Sequence, residues 1–253
     1  MSKIIFITGA TSGIGKAAAR KFAAAGYDLI ITGRRKERLE ELQKEITSHY
    51  NTAVISLCYD IRNHQAGTDA INGLPEKWKN INILLNNAGL AAGRDYFDEA
   101  SFEDWETMID TNIKGLLYTT RAIIPYMIKE GKGHIINIGS TAGKEAYEKG
   151  NVYCATKFAV NALSQSMRID LLKHGIKSTV INPGAVLTEF SMVRLKGNQE
   201  LADKVYEGYQ PLSPEDVAET IYFVASQPPH VCLNEIIMTS TAQANSFYLH
   251  KKV

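Results

Sequence analysis

The chain has 253 residues, 45% hydrophobic and 22% charged, which suits one large α/β domain with ample apolar material for a core. A formal net charge of +1 gives no reason to expect nucleic acid or an acidic membrane surface as a partner. Cys58, Cys154 and Cys232 are far apart, and the six histidines are scattered, so neither a disulfide framework nor a metal site is expected. "MSKIIFITGA" lacks the pattern of a signal peptide, and no apolar run approaches the roughly 20 residues of a membrane span. Together these features predict a soluble cytoplasmic protein with reduced thiols.

Strands and helices alternate from the start. "KIIFITG" reads as a buried strand and "GIGKAAARKFAAAG" as a helix stopped at Gly26. "YDLIITG" is a second strand, and the helix "KERLEELQKEI" carries Leu39, Leu42 and Ile46 on one stripe. "TAVISLCYD" and "INILLNNAG" are further strands around a polar helical segment, 63–79. A long helix is predicted from Ser101, whose hydroxyl can cap it, with Glu103 and Asp104 in the first turn. Then come the strand "GHIINIGS", a helix over 152–173 and the strand "IKSTVINPG". "SPEDVAETIYFVAS" places Ser213 at the N-cap and Pro214 at the first helical position, and "LNEIIMTS" is the last strand.

The strands are almost continuously apolar, which indicates burial on both faces. The predicted fold is therefore α/β, a doubly wound parallel sheet flanked by helices with right-handed crossovers. Without a linker or repeat, 1–253 is expected to be a single domain, with a cofactor half at about 1–145 and a catalytic and substrate half at about 146–253. The irregular region 184–212 follows a strand end, where such sheets bind ligands, and is a candidate lid.

The first strand runs into "TGATSGIG", with Gly9, Gly13 and Gly15. A strand, a glycine-rich turn and a helix N-terminus together make a phosphate cradle of free N–H groups and positive dipole. At the end of the second strand, where a dinucleotide site would carry an acid for the ribose hydroxyls, the chain reads "TGRRKER". Basic residues in a first helical turn oppose the macrodipole by about 0.3–1 kcal/mol each, so another use is indicated. A guanidinium fork matches a 2′-phosphate, which points to NADP(H), with Arg34 as main contact and Arg35 as second. Asp60 and Ile61 follow the third strand, where a carboxylate can accept from an adenine amine and an aliphatic chain can cover the ring.

"TGATSGIG", "NNAG", Asn112 in "DTNIKG", Ser140 in "INIGS", "YCATK" and "NPGAVLTE" occur in this order, and together they resemble the short-chain dehydrogenase/reductase family over essentially the whole chain. The resemblance implies a Rossmann-type fold with a seven-stranded parallel sheet and a catalytic tetrad of Asn112, Ser140, Tyr153 and Lys157. It also implies that Thr11, Ser12, Ile14, Asn87, Ala88, Gly89, Tyr153, Lys157, Pro183, Gly184, Val186 and Thr188 line the cofactor groove. Tyr153 would exchange a proton with the substrate hydroxyl, and a neighbouring ammonium, Lys157, favours its phenolate. On the family pattern Lys157 also grips the nicotinamide ribose, with a water held at Asn112, and Ser140 bonds the substrate oxygen as charge develops.

Longer strings, such as "NNAGLAAGRDYFDEASFEDWETMIDTNIKGLLY" and "PGAVLTEFSMVRLKG", are similar to the NADP-dependent 3-hydroxy acid dehydrogenases. That likeness implies a homotetramer acting on serine, L-allo-threonine, 3-hydroxyisobutyrate or 3-hydroxypropionate, or on the matching 3-oxo acid or semialdehyde. One loop departs from it: "GKEAYEKGN" stands where a proline-containing "PYPGGN" is expected. A small carboxylate needs a cation, and Arg94, Lys144, Lys149, Arg194 and Lys196 lie on pocket-facing segments. Arg194 leads because it lies in the lid; with Ser140 and Tyr147 it makes up the expected substrate contacts. The alternatives are a reductase of uncharged ketones, sugars or steroids, and a non-catalytic NADP(H) redox sensor.

Overall fold

The structure is a computed structural model that describes residues 3–252. Its strands are β1 (Ile4–Ile7), β2 (Asp28–Gly33), β3 (Val54–Cys58), β4 (Ile81–Asn86), β5 (Gly133–Ile138), β6 (Ile176–Pro183) and β7 (Glu235–Met238). All pair in parallel in one sheet of order β3-β2-β1-β4-β5-β6-β7, the predicted doubly wound arrangement. The helices are α1 (Gly13–Ala24), α2 (Lys36–His49), α3 (His64–Asn72), α4 (Phe102–Ile109), α5 (Leu116–Glu130), α6 (Asn151–Asp170), α7 (Phe190–Arg194), α8 (Gln199–Tyr206) and α9 (Pro214–Ala225).

The inner strands β1, β2, β4, β5 and β6 are buried on both faces, as their composition requires, whereas the edge strands β3 and β7 are half open, with Ile237 56% exposed, because no further strand covers them. Ile5 and Ile7 of β1 pack with Ala17, Phe22, Leu39 and Ile221 on one side. Their neighbours Ile4 and Phe6 pack with Ile71, Ile123, Met127 and Val160 on the other. Each such side chain contributes about 1.5–3 kcal/mol by leaving water. The strand order reverses between β1 and β4, and this opens the crevice above their carboxyl ends in which doubly wound folds take ligands.

Several local expectations are refined. Gly26 has φ +78°, so it supplies the left-handed residue just beyond α1. Ser213 accepts from the Asp216 N–H at 3.1 Å and Asp216 accepts from the Ser213 N–H at 2.8 Å, a full capping box on α9. Ser101 does precede α4, but its hydroxyl makes no cap bond. The long helix predicted from Ser101 is interrupted by a π-type turn, Asp110–Gly115, between α4 and α5. The lid region holds α7 and α8, and a bridge between Val186 and Leu212 closes its two ends together. No helix among the described residues is long and apolar enough to cross a membrane.

Candidate active site

The glycine-rich loop is shaped by contacts that only glycine allows. A Cβ on Gly15 would lie 2.4 Å from the Gly9 carbonyl oxygen and 2.5 Å from the Asn87 amide. Gly13 has φ +51°, and a Cβ there would meet Thr188, which brings the start of the lid against the loop. Asn87 donates to the carbonyls of Thr8 (2.9 Å) and Gly9 (3.1 Å), while the Thr8 hydroxyl accepts from the N–H groups of Asn87 and Ala88. These bonds staple the end of β4 to the end of β1 and leave the N-terminus of α1 open, a cradle that fits a pyrophosphate. Ile14 packs on the core beneath the loop. Ile61 lies against Gly115, whose Cβ would stand 2.9 Å from its side chain. Beyond β6, the Gly184 N–H donates to the Met238 carbonyl, which fixes the Pro183–Gly184 corner.

Asn112 from the π-type turn, Ser140 after β5, and Tyr153 and Lys157 from α6 converge. The π-type turn places Asn112 inside rather than on an exposed helix face; it is 2% exposed. Its carboxamide accepts from the Leu90 N–H and donates to the Leu90 carbonyl, both at 2.8 Å, and donates to Thr156 Oγ1 at 3.0 Å. The side chain therefore braces the loop after β4 against α6. Gly89 sits in the same corner, where a Cβ would be 3.3 Å from Asn112 Oδ1 and 3.6 Å from Lys157 Nζ. Ser140 directly follows the bend after β5, and its N–H donates to Asn182 Oδ1 at 3.0 Å. Asn182 in turn donates to Asn161 and Glu235, forming a buried polar support. Asn182 opens the motif "NPGAVLTE", but nothing local marked Asn161 or the bond between them, because that network spans residues far apart in the chain.

The Tyr153–Lys157 pair is less direct than its spacing suggests. Lys157 Nζ donates to the Ile138 carbonyl at 2.9 Å and stands 5.9 Å from the centre of the Tyr153 ring. Burial pushes the Tyr153 phenol well above its ordinary value, and Tyr147 adds to this; hydrogen bonding with Ser140 and the charge of Arg194 oppose it. The expectation that Lys157 lowers this phenol is thus not met, because desolvation outweighs a cation turned toward a carbonyl. Burial also lowers Lys157 itself, from 10.5 to about 8.

That shift has a stability consequence. Between about pH 8 and 10.5 the unfolded chain binds more protons at this lysine than the folded one, so its contribution to stability rises with pH. Below pH 8 the folded protein carries the full cost of a buried charge. Lys157→Met is expected to raise stability at pH 7 by about 1–2 kcal/mol, after allowing for the Ile138 carbonyl left unpaired. Thermal unfolding at pH 7 and pH 10 checks this: the gain shrinks at the higher pH, and a variant less stable at both values would refute it.

Of the five candidate cations, only Arg194 meets Tyr153. Lys144 pairs with Glu235, Lys196 pairs with Asp104 at 2.9 Å, Lys149 lies over the Tyr96 ring and Arg94 is exposed. Arg194 stands 5.6 Å from the Tyr153 ring centre, and Phe190, one turn earlier on α7, packs its ring 5.6 Å from that of Tyr153. Arg194 donates Nη1 to the Tyr147 hydroxyl (2.7 Å), Nη2 to the Lys149 carbonyl (3.2 Å) and Nε to the Gly93 carbonyl (3.3 Å). A guanidinium has five N–H donors, so one remains on each terminal nitrogen. That pair fits the two oxygens of a carboxylate or sulfonate. Lys149 takes φ 61° at a position where the family pattern carries glycine, and its carbonyl helps to aim Arg194.

The basic run after β2 is also engaged. Asp60 loses some solvation, but Arg62, and Arg34 at 3.7 Å, hold its carboxyl below the usual range. Arg35 and Arg38 both reach Glu189, a residue that sequence reasoning passed over because a glutamate before a helix looks like an ordinary solvated charge.

A glycine-rich cradle at the reversal point of a doubly wound sheet, beside a buried tyrosine and lysine one helical turn apart, defines the class as Rossmann-type. The chain belongs to the short chain dehydrogenase family, whose sequence model matches residues 3–199, and it is accordingly an oxidoreductase. The NADP-dependent 3-hydroxy acid dehydrogenase YdfG of Salmonella typhi is 48% identical over 242 residues, which cover 95% of this chain and 96% of the relative. Sulfoacetaldehyde reductase 2 of Chromohalobacter salexigens is 44% identical, with 98% of each chain covered. The closed form of a serine dehydrogenase complexed with NADP+ superposes with a TM-score of 0.91 at 46% identity, covering 98% of this chain and 100% of that one.

Proposed function

We propose that this protein uses NADP(H) to interconvert a small 3-hydroxy acid, of the serine, L-allo-threonine, 3-hydroxyisobutyrate or 3-hydroxypropionate type, and its 3-oxo acid or semialdehyde. The observation that carries the reading is the free end of the Arg194 guanidinium beside Tyr153, held by Tyr147 and Lys149. In this reading, a carboxylate bound there places the hydroxyl of the third carbon near the phenol. Relatives named for a 3-hydroxy acid and for sulfoacetaldehyde agree with a short anionic substrate. NADP(H) is supported by Arg34, exposed at the β2 end where an NAD site would carry an acid, and by the cofactor named for two relatives.

In this reading, bound NADP(H) supplies or accepts the hydride. Gly9, Thr11, Ser12, Gly13, Ile14 and Gly15 cradle its pyrophosphate, while Arg34 and Arg35 meet the 2′-phosphate. Asp60 and Ile61 border the adenine; Asn87, Ala88 and Gly89 form the groove floor; Pro183, Gly184, Val186 and Thr188 border the nicotinamide. The Tyr153 hydroxyl gives its proton to the substrate oxygen during reduction and takes it back during oxidation. A phenol is protonated at neutral pH, and burial pushes this one further in that direction, so in reduction it enters as the acid. Ser140 donates to the same oxygen, and Phe190 with the lid keeps water away.

A homotetramer belongs to the same proposal. Phe158 and Ile169 lie eleven residues apart on one face of α6, close to three full turns, and are 45% and 74% exposed. Turnover of NADP+ with the four acids, compared with sugars, cyclic alcohols and sterols, tests the substrate class. Faster turnover of any uncharged compound would favour the reductase of neutral ketones.

A further inference from the structure

Two of the three arginines near the end of β2 already hold an anion. Arg35 Nη1 donates to Glu189 Oε2 at 2.8 Å, and Arg38 Nη1 donates to Oε1 at 2.6 Å and Oε2 at 3.0 Å. Arg35 spends its other edge on the glycine-rich loop, with Nε and Nη2 donating to Thr11 Oγ1 and Nη2 to Ser12 Oγ. All three of its nitrogens therefore have acceptors. Arg34 stands outside this cluster, its side chain 55% exposed. Glu189 immediately precedes α7, so the same carboxylate ties the lid to the start of α2 across more than 150 residues of sequence. A carboxylate on two guanidiniums offers the paired acceptors and charge that a phosphate would offer.

We propose that Glu189 is a resident anion of the 2′-phosphate site: it occupies Arg35 and Arg38 until a phosphorylated cofactor arrives, and so sets how strongly the protein prefers NADPH to NADH. This rests on the NADP(H) reading above. A 2′-phosphate carries a charge on the order of −1.5 to −2 at neutral pH, and it cannot take both forks without facing the carboxylate. NADH, with hydroxyls at that position, does not meet this repulsion. The competition weakens NADPH binding selectively, and release of the phosphate side returns the arginines to Glu189. Because Glu189 opens α7, its displacement also frees the start of the lid from the cofactor side of the cleft. Recognition of the phosphate and the position of the lid are linked through one side chain.

The test is direct binding of NADPH and NADH to purified protein without substrate, read by cofactor fluorescence, for the parent chain, Glu189→Gln and Arg34→Asp. Glu189→Gln tightens NADPH about five- to tenfold and moves NADH less than about twofold. Equal shifts for the two cofactors would overturn the proposal, since Glu189 would then act only on the lid. Weaker NADPH binding in Glu189→Gln would also overturn it, making the carboxylate a support for the arginines rather than a competitor. Failure of the cofactor reading itself looks different: the parent chain shows no preference for NADPH, and Arg34→Asp leaves the ratio of the two affinities unchanged.

Discussion

Tyr153→Phe lowers kcat/KM by about 10³-fold and leaves NADPH affinity within about twofold of the parent value. The substitution removes one oxygen from a ring that is 8% exposed and packed against Phe190, so the fold and the cofactor groove keep their shape. What is lost is a hydroxyl that hydrogen-bonds with Ser140 on a ring beside Arg194, the group proposed to exchange the proton. General acid–base catalysis of this kind contributes about 10²–10⁴-fold, which sets the expected size. Steady-state rates with cofactor titrations separate the two quantities. A loss below about tenfold would move the proton to another group, and a matching loss of NADPH affinity would mean that the cofactor groove had changed instead.

Arg194→Met has the second-largest effect, and it depends on the substrate. Methionine fills similar volume without charge, so kcat/KM for 3-hydroxyisobutyrate falls about 10²–10³-fold, as when one partner of a buried charged hydrogen bond is removed. An uncharged alcohol that reaches Tyr153 without using the fork loses much less. Arg194 also anchors α7 through Gly93 and Lys149, so part of the loss shows for every substrate. The ratio between acid and neutral substrate isolates the anion contact. If both fall by the same factor, Arg194 only holds the lid.

Much of this was legible in the residues. Continuous apolar strands separated by amphipathic helices dictate a parallel sheet covered on both faces, and β1, β2, β4, β5 and β6 obey that pattern while the edge strands β3 and β7 do not. The glycine spacing at the start of α1 marked the cradle because no residue but glycine fits at Gly15 against the Gly9 carbonyl. The pair Tyr153 and Lys157 gained meaning from its place at the carboxyl edge of the sheet. Tyr248 and Lys252 share that separation, but they lie outside any helix, and Tyr248 is 73% exposed. What stayed hidden was long-range or conformational. Nothing local in "TEF" announces that Glu189 reaches Arg35 and Arg38, or that Phe190 covers the tyrosine. The π-type turn that buries Asn112 depends on the Leu90 loop it braces, and the left-handed Lys149 on the guanidinium its carbonyl meets. The Tyr153–Lys157 electrostatics also escaped a reading by spacing, because burial rather than proximity is the largest cause of both shifts.

The central claim is that an anion held by Arg194 presents its hydroxyl to Tyr153. The most direct measurement compares kcat/KM for 3-hydroxyisobutyrate with that for its neutral amide, a molecule of nearly the same shape, with NADP+ as acceptor. A preference for the acid of about 10²-fold or more is predicted, from the loss of a charge-assisted bond in the amide. Equal efficiency, or preference for the amide, would contradict it.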